Sequence, residues 1–264
     1  MTEFTPATTS TDKRITVLVA GTMIRAASLQ DIVDEFCDHA LRKAKYCLLP
    51  AASHSLSAAL RDEHLREIVK SFCVVPDGVP VWLCARLLTK QHAEQFHHIR
   101  GHDLMHAILF RAQAQSLPVF FYGPSSEVVE RMQAKIQHRY PRLLIAGTRI
   151  APMFTPRPTN EEMDQLAQDV LNSRASMVFC AVGSPKQELV AYELSKRVSC
   201  AIGVFGAAFL YESGLEPMAP KWAQKCGFEW CFRLLNAPKK LWRRYLLDIP
   251  QLFLAILAQL LRER

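Results

Sequence analysis

The feature that most constrains this chain is a repeated switch of hydrophobic period. Short apolar or β-branched runs at residues 15–20, 46–49, 72–75, 119–122, 143–147, 177–182 and 201–205 are bounded by turn residues, and each is brief enough to be a buried strand. Between them lie longer amphipathic stretches, at 28–43, 102–115, 125–139, 159–173 and 185–197, several opened by a Ser or Thr suited to capping a helix. This alternation predicts an α/β fold. The expected architecture is a Rossmann-like, mainly parallel sheet with helices on both faces, whose ligands gather at the carboxyl ends of the strands.

The alternation stops near residue 213. From 220 onward no strand-like run remains, and Pro220, Pro238 and Pro250 punctuate what reads as three or four short helices. Nine Lys or Arg face three acids over 220–264, interleaved with Trp222, Trp230, Phe232, Trp242 and Tyr245. The reading is therefore a disordered tail over 1–14, an α/β domain over 15–213 expected to be catalytic, and a basic helical appendage over 214–264. A net charge of +7 asks for an anionic partner. Aromatic rings at headgroup level and basic side chains on phosphate fit a lipid diphosphate, although the same interleaving suits single-stranded nucleic acid or a plain solvated face. Residues 252–261 are too apolar for a nucleic-acid surface, so no nucleic-acid partner is expected. No uninterrupted apolar stretch reaches the ~20 residues of a membrane span. The tail is expected to lie on a membrane surface. Eight cysteines without a CxxC pair suit reduced thiols in a reducing compartment. Residues 1–14 lack the apolar core of a secretory signal.

Three glycine-bearing turns follow expected strands: Gly123-Pro-Ser-Ser, Gly183-Ser-Pro-Lys-Gln-Glu, and Gly203 with Gly206. Singly each reads as an ordinary strand end. Together, with Lys186 and Gln187 beside one of them, they suit a diphosphate held by outward backbone N–H groups and helix dipoles. No GxGxxG or GxxxxGK[ST] is present to support a dinucleotide enzyme or a P-loop kinase. Asp77, in Pro76-Asp-Gly directly after a buried run, stands where an α/β enzyme places a general base, and equally where an Asp-Gly turn satisfies its own backbone. His98, His102 and His106 are spaced by four and could form a metal stripe. Gly101 interrupts them, and a competing cap there is expected to scatter the rings. Asp103 is expected to cap the following helix or to reach the pocket from its first turn.

Asp77-Gly, Arg100-Gly-His-Asp-Leu, Gly183-Ser-Pro-Lys-Gln-Glu, the turn over 203–209, Ala219-Pro-Lys-Trp and the run from Gly227 to Leu246 together resemble the WecG/TagA/CpsF glycosyltransferase family. The resemblance implies an inverting, metal-independent transferase with no cofactor, working peripherally at the inner face of the cytoplasmic membrane. It would move a hexose from a UDP-sugar to an undecaprenyl-diphosphate-linked sugar in exopolysaccharide or other cell-surface polysaccharide assembly. The reading leans to glucose. N-acetylmannosaminyl or N-acetylmannosaminuronyl transfer is the alternative, as is a catalytically weak UDP- and lipid-binding homologue. By the same resemblance Asp77 is the catalytic base. Donor or substrate contacts fall to Gly123, Gly183, Lys186, Gln187, Arg100, Asp103 and Gly206, and the lipid diphosphate to Arg233, Lys240, Arg243 and Arg244. Four positions depart from the family pattern. Pro50 and Ala52 replace a Thr-x-Asn turn, with Ser53 or His54 as substitutes; His98 stands where an Arg is common; and Leu210 stands where an acid is common, with Glu212 two residues on.

Overall fold

The computed structural model describes residues 15–152, 157–225 and 229–262. The expectation for residues 1–14 lies outside the described residues. In chain order the elements are β1 (Thr16–Val19), β2 (Thr22–Arg25), α1 (Leu29–Leu41), β3 (Tyr46–Ala51), α2 (Ser53–Arg61), α3 (Glu63–Lys70), β4 (Cys73–Pro76) and α4 (Val79–Thr89). After a 3-10 turn come α5 (Gly101–Ala114), β5 (Val119–Gly123), α6 (Ser126–Arg139), β6 (Ile145–Ile150), α7 (Asn160–Ser173), β7 (Met177–Cys180), α8 (Lys186–Ser195), β8 (Ala201–Val204) and α9 (Ala208–Ser213). The appendage adds α10 (Lys221–Lys225), α11 (Glu229–Asn236), α12 (Pro238–Arg243) and α13 (Ile249–Arg262).

Six strands form one parallel sheet in the order β4-β3-β8-β7-β5-β6. The α/β expectation holds. Side chains alternate across the sheet, so Phe120, Tyr122, Val178 and Ile202 enter one core while Val119, Phe121, Phe179 and Ala201 enter the other. Helices α1, α5 and α6 cover the second face with Phe36, Leu104, Ile108 and Met132; the first is filled by Leu65, Leu166, Val190 and their neighbours. The capping residues act as read: Ser28 closes a capping box with Asp31, and Ser125 and Thr159 accept from the backbone N–H of Val128 and Glu162.

Two elements differ from the expectation. The run at 15–20 stays out of the main sheet and pairs antiparallel with β2 as a separate hairpin. The tail is also less broken than its prolines suggest. Pro238 opens α12, where its missing N–H leaves no helical bond unmade, and Pro250 is the second residue of α13. A π-helical turn at Arg244–Asp248 joins the two. Leu241–Leu261 thus forms 21 helical residues of mean hydropathy 1.3, long and apolar enough to cross a membrane by length and composition. Part of it is nevertheless docked. Leu252 and Ile256 enter the first core, the Ser57 hydroxyl donates to the Asp248 carbonyl at 2.8 Å, and the Gln259 amide donates to the Leu18 carbonyl at 2.8 Å.

Candidate active site

A cavity of about 680 Å³ opens along the carboxyl ends of the strands. Its walls come from the ends of β3 (Pro50, Ala52), β4 (Asp77), β7 (Ala181–Ser184) and β8 (Val204–Ala208), from Pro124 and Ser125 after β5, and from Arg233, Leu241 and Arg243 of the appendage. Strand direction explains the position. Parallel strands end together, and β3 is followed in sequence by β4 on one side and in space by β8 on the other, which is the crevice of an open α/β sheet.

Asp77 is fixed at both of its backbone groups. Its N–H donates to the Ala51 carbonyl at 3.1 Å, and its own carbonyl accepts from His98 Nε2. The side-chain Oδ1 accepts the Gly101 N–H at 2.8 Å, so the first turn of α5 presents a donor to the carboxylate. Burial pushes the Asp77 carboxyl above its usual range, and the nearby Glu229 charge adds to this; the Gly101 bond and the charges of His98 and Arg233 oppose it. Such a carboxylate is more basic than an exposed one.

Three guanidinium groups share the cavity wall with Asp77. Arg100 lies 3.6 Å from Asp103 and 3.4 Å from Glu229, tying α5 to α11. Arg233 lies over the Tyr211 ring, 5.5 Å from its centroid, and Arg243 over Trp242 at 5.3 Å. Opposite them, Gln187 is 4 % exposed, and its Oε1 has no protein donor. A buried amide oxygen left open on a cavity wall is suited to a ligand's donor. Gly206 has φ +45°, and a side chain there would meet the Gln187 amide at 3.5 Å, so glycine leaves that face open. Behind Gln187 the Glu188 carboxyl is buried, which raises its pKa against the lowering effect of Ser184 and Ser55.

The structure thus gathers Asp77, Arg100, Gly183, Gln187, Gly206, Arg233 and Arg243 on one cavity. Three other expected contacts stand off it. Gly123 faces the interior, where a Cβ would strike Val129 at 2.2 Å, and it is Pro124 and Ser125 that reach the wall. Lys186 turns away from the cavity to the Pro152 carbonyl at 3.1 Å, with the buried Glu162 at 3.8 Å. Asp103 is half exposed beside Arg100 and His102. The side chains of Lys240 and Arg244 lie outside the described residues.

Residues 17–264 match the glycosyl transferase WecG/TagA/CpsF family. The chain belongs to that family. It is a glycosyltransferase, as the resemblance implied. Among its curated relatives is a protein of Bacillus subtilis (strain 168) named N-acetylglucosaminyldiphosphoundecaprenol N-acetyl-beta-D-mannosaminyltransferase, 27 % identical over 204 residues, or 76 % of this chain and 75 % of the relative. A protein of the same name from Bacillus spizizenii (strain ATCC 23059 / NRRL B-14472 / W23) is 30 % identical over 185 residues, covering 70 % and 67 %.

The departures from the WecG/TagA/CpsF pattern now have places. Pro50 and Ala52 do line the cavity, and His54 and Ser55 join them from α2 while Ser53 is not on the wall. His98 supports the Asp77 backbone, and Arg100 supplies a cation to the wall. Leu210 lines the cavity, whereas Glu212 points away from it into His102 and His106. Gly101 does not scatter those two rings. It is the first residue of α5, so His102 and His106 stack one turn apart with centroids 4.5 Å apart, and only His98 falls outside the stripe. Of the wall residues, His54 was named from sequence as a substitute for the missing turn, whereas Ser55, Tyr211, Glu216, Glu229 and Asp248 were not singled out. Those five sit in α2, in α9 or beyond it, where no local pattern marks a residue as facing a cavity; the adjoining motifs were the available signal.

Proposed function

We propose that this glycosyltransferase moves N-acetylmannosamine, with inversion, from a UDP donor to an N-acetylglucosamine carried on undecaprenyl diphosphate. The observation that carries the reading is Asp77, held by the Gly101 N–H at 2.8 Å on a cavity shared with Gln187, Arg100, Arg233 and Arg243. The relatives' names support the sugar and the acceptor. The lean to glucose finds no such support, and among the described residues the arginines on the cavity wall are the three already named.

In this reading the acceptor hydroxyl gives its proton to Asp77 as its oxygen attacks the anomeric carbon. The bond from that carbon to the UDP oxygen breaks on the opposite face, and UDP leaves with the electron pair. An α-linked donor then yields a β-linked product. The negative charge gathering on the departing diphosphate is met by guanidinium groups, which suit it in bidentate fashion, and the transfer step needs no metal. In the same reading the donor diphosphate lies against the turn at Gly183 and Ser184, which lines the cavity at the start of α8.

The appendage supports peripheral attachment at the inner face of the cytoplasmic membrane. Leu246, Leu247, Phe253, Leu254, Leu257 and Leu261 are exposed along one helical run, with Trp222, Trp230 and Trp242 nearby. Leu254→Ser combined with Leu257→Ser should weaken liposome sedimentation and leave thermal melting unchanged; equal sedimentation would remove the membrane part of the reading. Transfer is tested with UDP-N-acetylmannosamine, UDP-glucose and UDP-N-acetylmannosaminuronate against a lipid-diphosphate-linked N-acetylglucosamine. Product from the first donor alone is expected, and preference for either other donor overturns the sugar assignment. A second reading, a UDP- and lipid-binding homologue with weak catalysis, is favoured by the apolar Pro50 and Ala52 on the wall. Calorimetric binding of UDP without turnover of any donor would select it.

A further inference from the structure

Away from Asp77, α5 and α9 are joined by three side chains with the chemistry of a metal site. His102 and His106 lie one turn apart on α5, and Glu212 projects from α9 between them. Their Nε2 atoms converge on the same oxygen, Glu212 Oε2, at 3.3 and 2.9 Å, and the three ligand atoms all lie within 4.8 Å of one another. Four ligands about 2.0–2.1 Å from a tetrahedral zinc ion stand roughly 3.3 Å apart, so the cluster needs only a small opening to admit one. One of the remaining ring nitrogens has the outer partner a metal site would give it: His106 Nδ1 is 2.9 Å from the Tyr140 hydroxyl. His102 Nδ1 is buried without a hydrogen bond, and Asp103 Oδ1, 3.6 Å away, is the acceptor within a small shift of it. Two imidazoles and one carboxylate suit zinc rather than calcium or magnesium.

We propose that His102, His106 and Glu212 bind a zinc ion that braces α5 against α9, with water in the fourth position. Arg139 is the competing cation, 3.9 Å from Glu212 Oε2 and 3.2 Å from both His106 ring nitrogens. Its side chain is 54 % exposed and has solvent to move into. The ion would sit behind the cavity wall that His102 and Tyr211 help to form. Its role is structural, and sugar transfer is not routed through it.

The test uses the full chain stripped of metal by a chelator and titrated with Zn²⁺ against a chromophoric zinc indicator, then with Co²⁺ followed by visible absorption. One equivalent should bind, with a raised Tm and the absorption of four-coordinate cobalt. Arg139→Ala should tighten binding at least several-fold. Glu212→Gln and His106→Gln should each lose the site, while His64→Gln, an exposed position on α3, keeps it. Because the ligand variants can also perturb folding, His106→Cys provides a gain of signal: a thiolate-to-cobalt charge-transfer band absent from the wild type. The proposal falls if neither wild type nor Arg139→Ala binds one equivalent, if Glu212→Gln binds as tightly as wild type, or if His106→Cys, folded by circular dichroism, shows no such band.

Discussion

The first turn of α5 touches two carboxylates that its surroundings drive in opposite directions. On one side the Gly101 N–H meets Asp77, whose carboxyl is pushed up by burial. On the other side His102 meets Glu212. Burial would raise that carboxyl too, but hydrogen bonds from His102 and His106 and the charge of Arg139 more than offset it and hold it far below its usual range. Glu212 is buried and Asp77 half-buried, yet the deeper acid is the one held ionised, so burial alone does not set the sign; the number and charge of the donors does. One acid is left basic beside an open cavity, and the other is locked as an anion inside a polar cluster.

The largest expected effect is on chemistry. Asp77→Asn should lower the transfer rate by about 10²–10⁴-fold and abolish the acid limb of the pH–rate profile, which in the wild type should lie above the range of an ordinary Asp. The same change should not weaken the fold. A folded-state pKa above the unfolded value means that Asp77 contributes stability below the unfolded pKa and loses it as pH rises through the folded one. At neutral pH the ionised group opposes folding, so Tm of Asp77→Asn should equal or exceed that of the wild type. A lower Tm would break the comparison.

Next comes Arg233→Ala. Loss of a charge-assisted contact to phosphate should lower kcat/KM by roughly 10–100-fold, and loss of its charge near Asp77 should move the acid limb further up in pH. An acid limb that stays in place would show that Arg233 serves the substrate alone.

Glu212→Gln should act through stability. In metal-free buffer the loss is expected to be about 1–3 kcal/mol at neutral pH, measured by denaturant unfolding. With a folded pKa below the unfolded one, the stabilisation by Glu212 is present above the unfolded carboxylate range and fades as pH falls through the folded pKa. The gap between wild type and variant should therefore narrow on acidification, opposite to the trend for Asp77. The smallest effect is expected for His98→Ala, which removes one bond to the Asp77 carbonyl; about 1 kcal/mol of stability and a small shift of the acid limb should follow.

Legibility from sequence follows the range of the interactions. The parallel sheet could be read because buried strands and amphipathic helices are patterns within ten or fifteen residues, and Ser28, Ser125 and Thr159 cap within three. Asp77, Gln187 and Gly206 could be named because each belongs to a short motif at a strand end. Gly123 and Lys186 belonged to equally good motifs and still stand off the cavity, since the packing of Val129 and the reach to Pro152 involve other elements. The hairpin of β1 and β2 was missed for the same reason: nothing in residues 15–20 tells which sheet the strand joins.

By itself the sequence determined the alternation that makes the sheet, the family, the carboxylate at the end of β4 and the basic, aromatic tail. Tertiary structure alone decided that α11 and α12 bring Arg233 and Arg243 to the cavity of Asp77, and that Glu212 meets histidines more than a hundred positions earlier. The physical reason is that local pattern fixes which face of an element is apolar, whereas the ionisation of a buried carboxyl depends on donors and charges delivered by whatever packs against it.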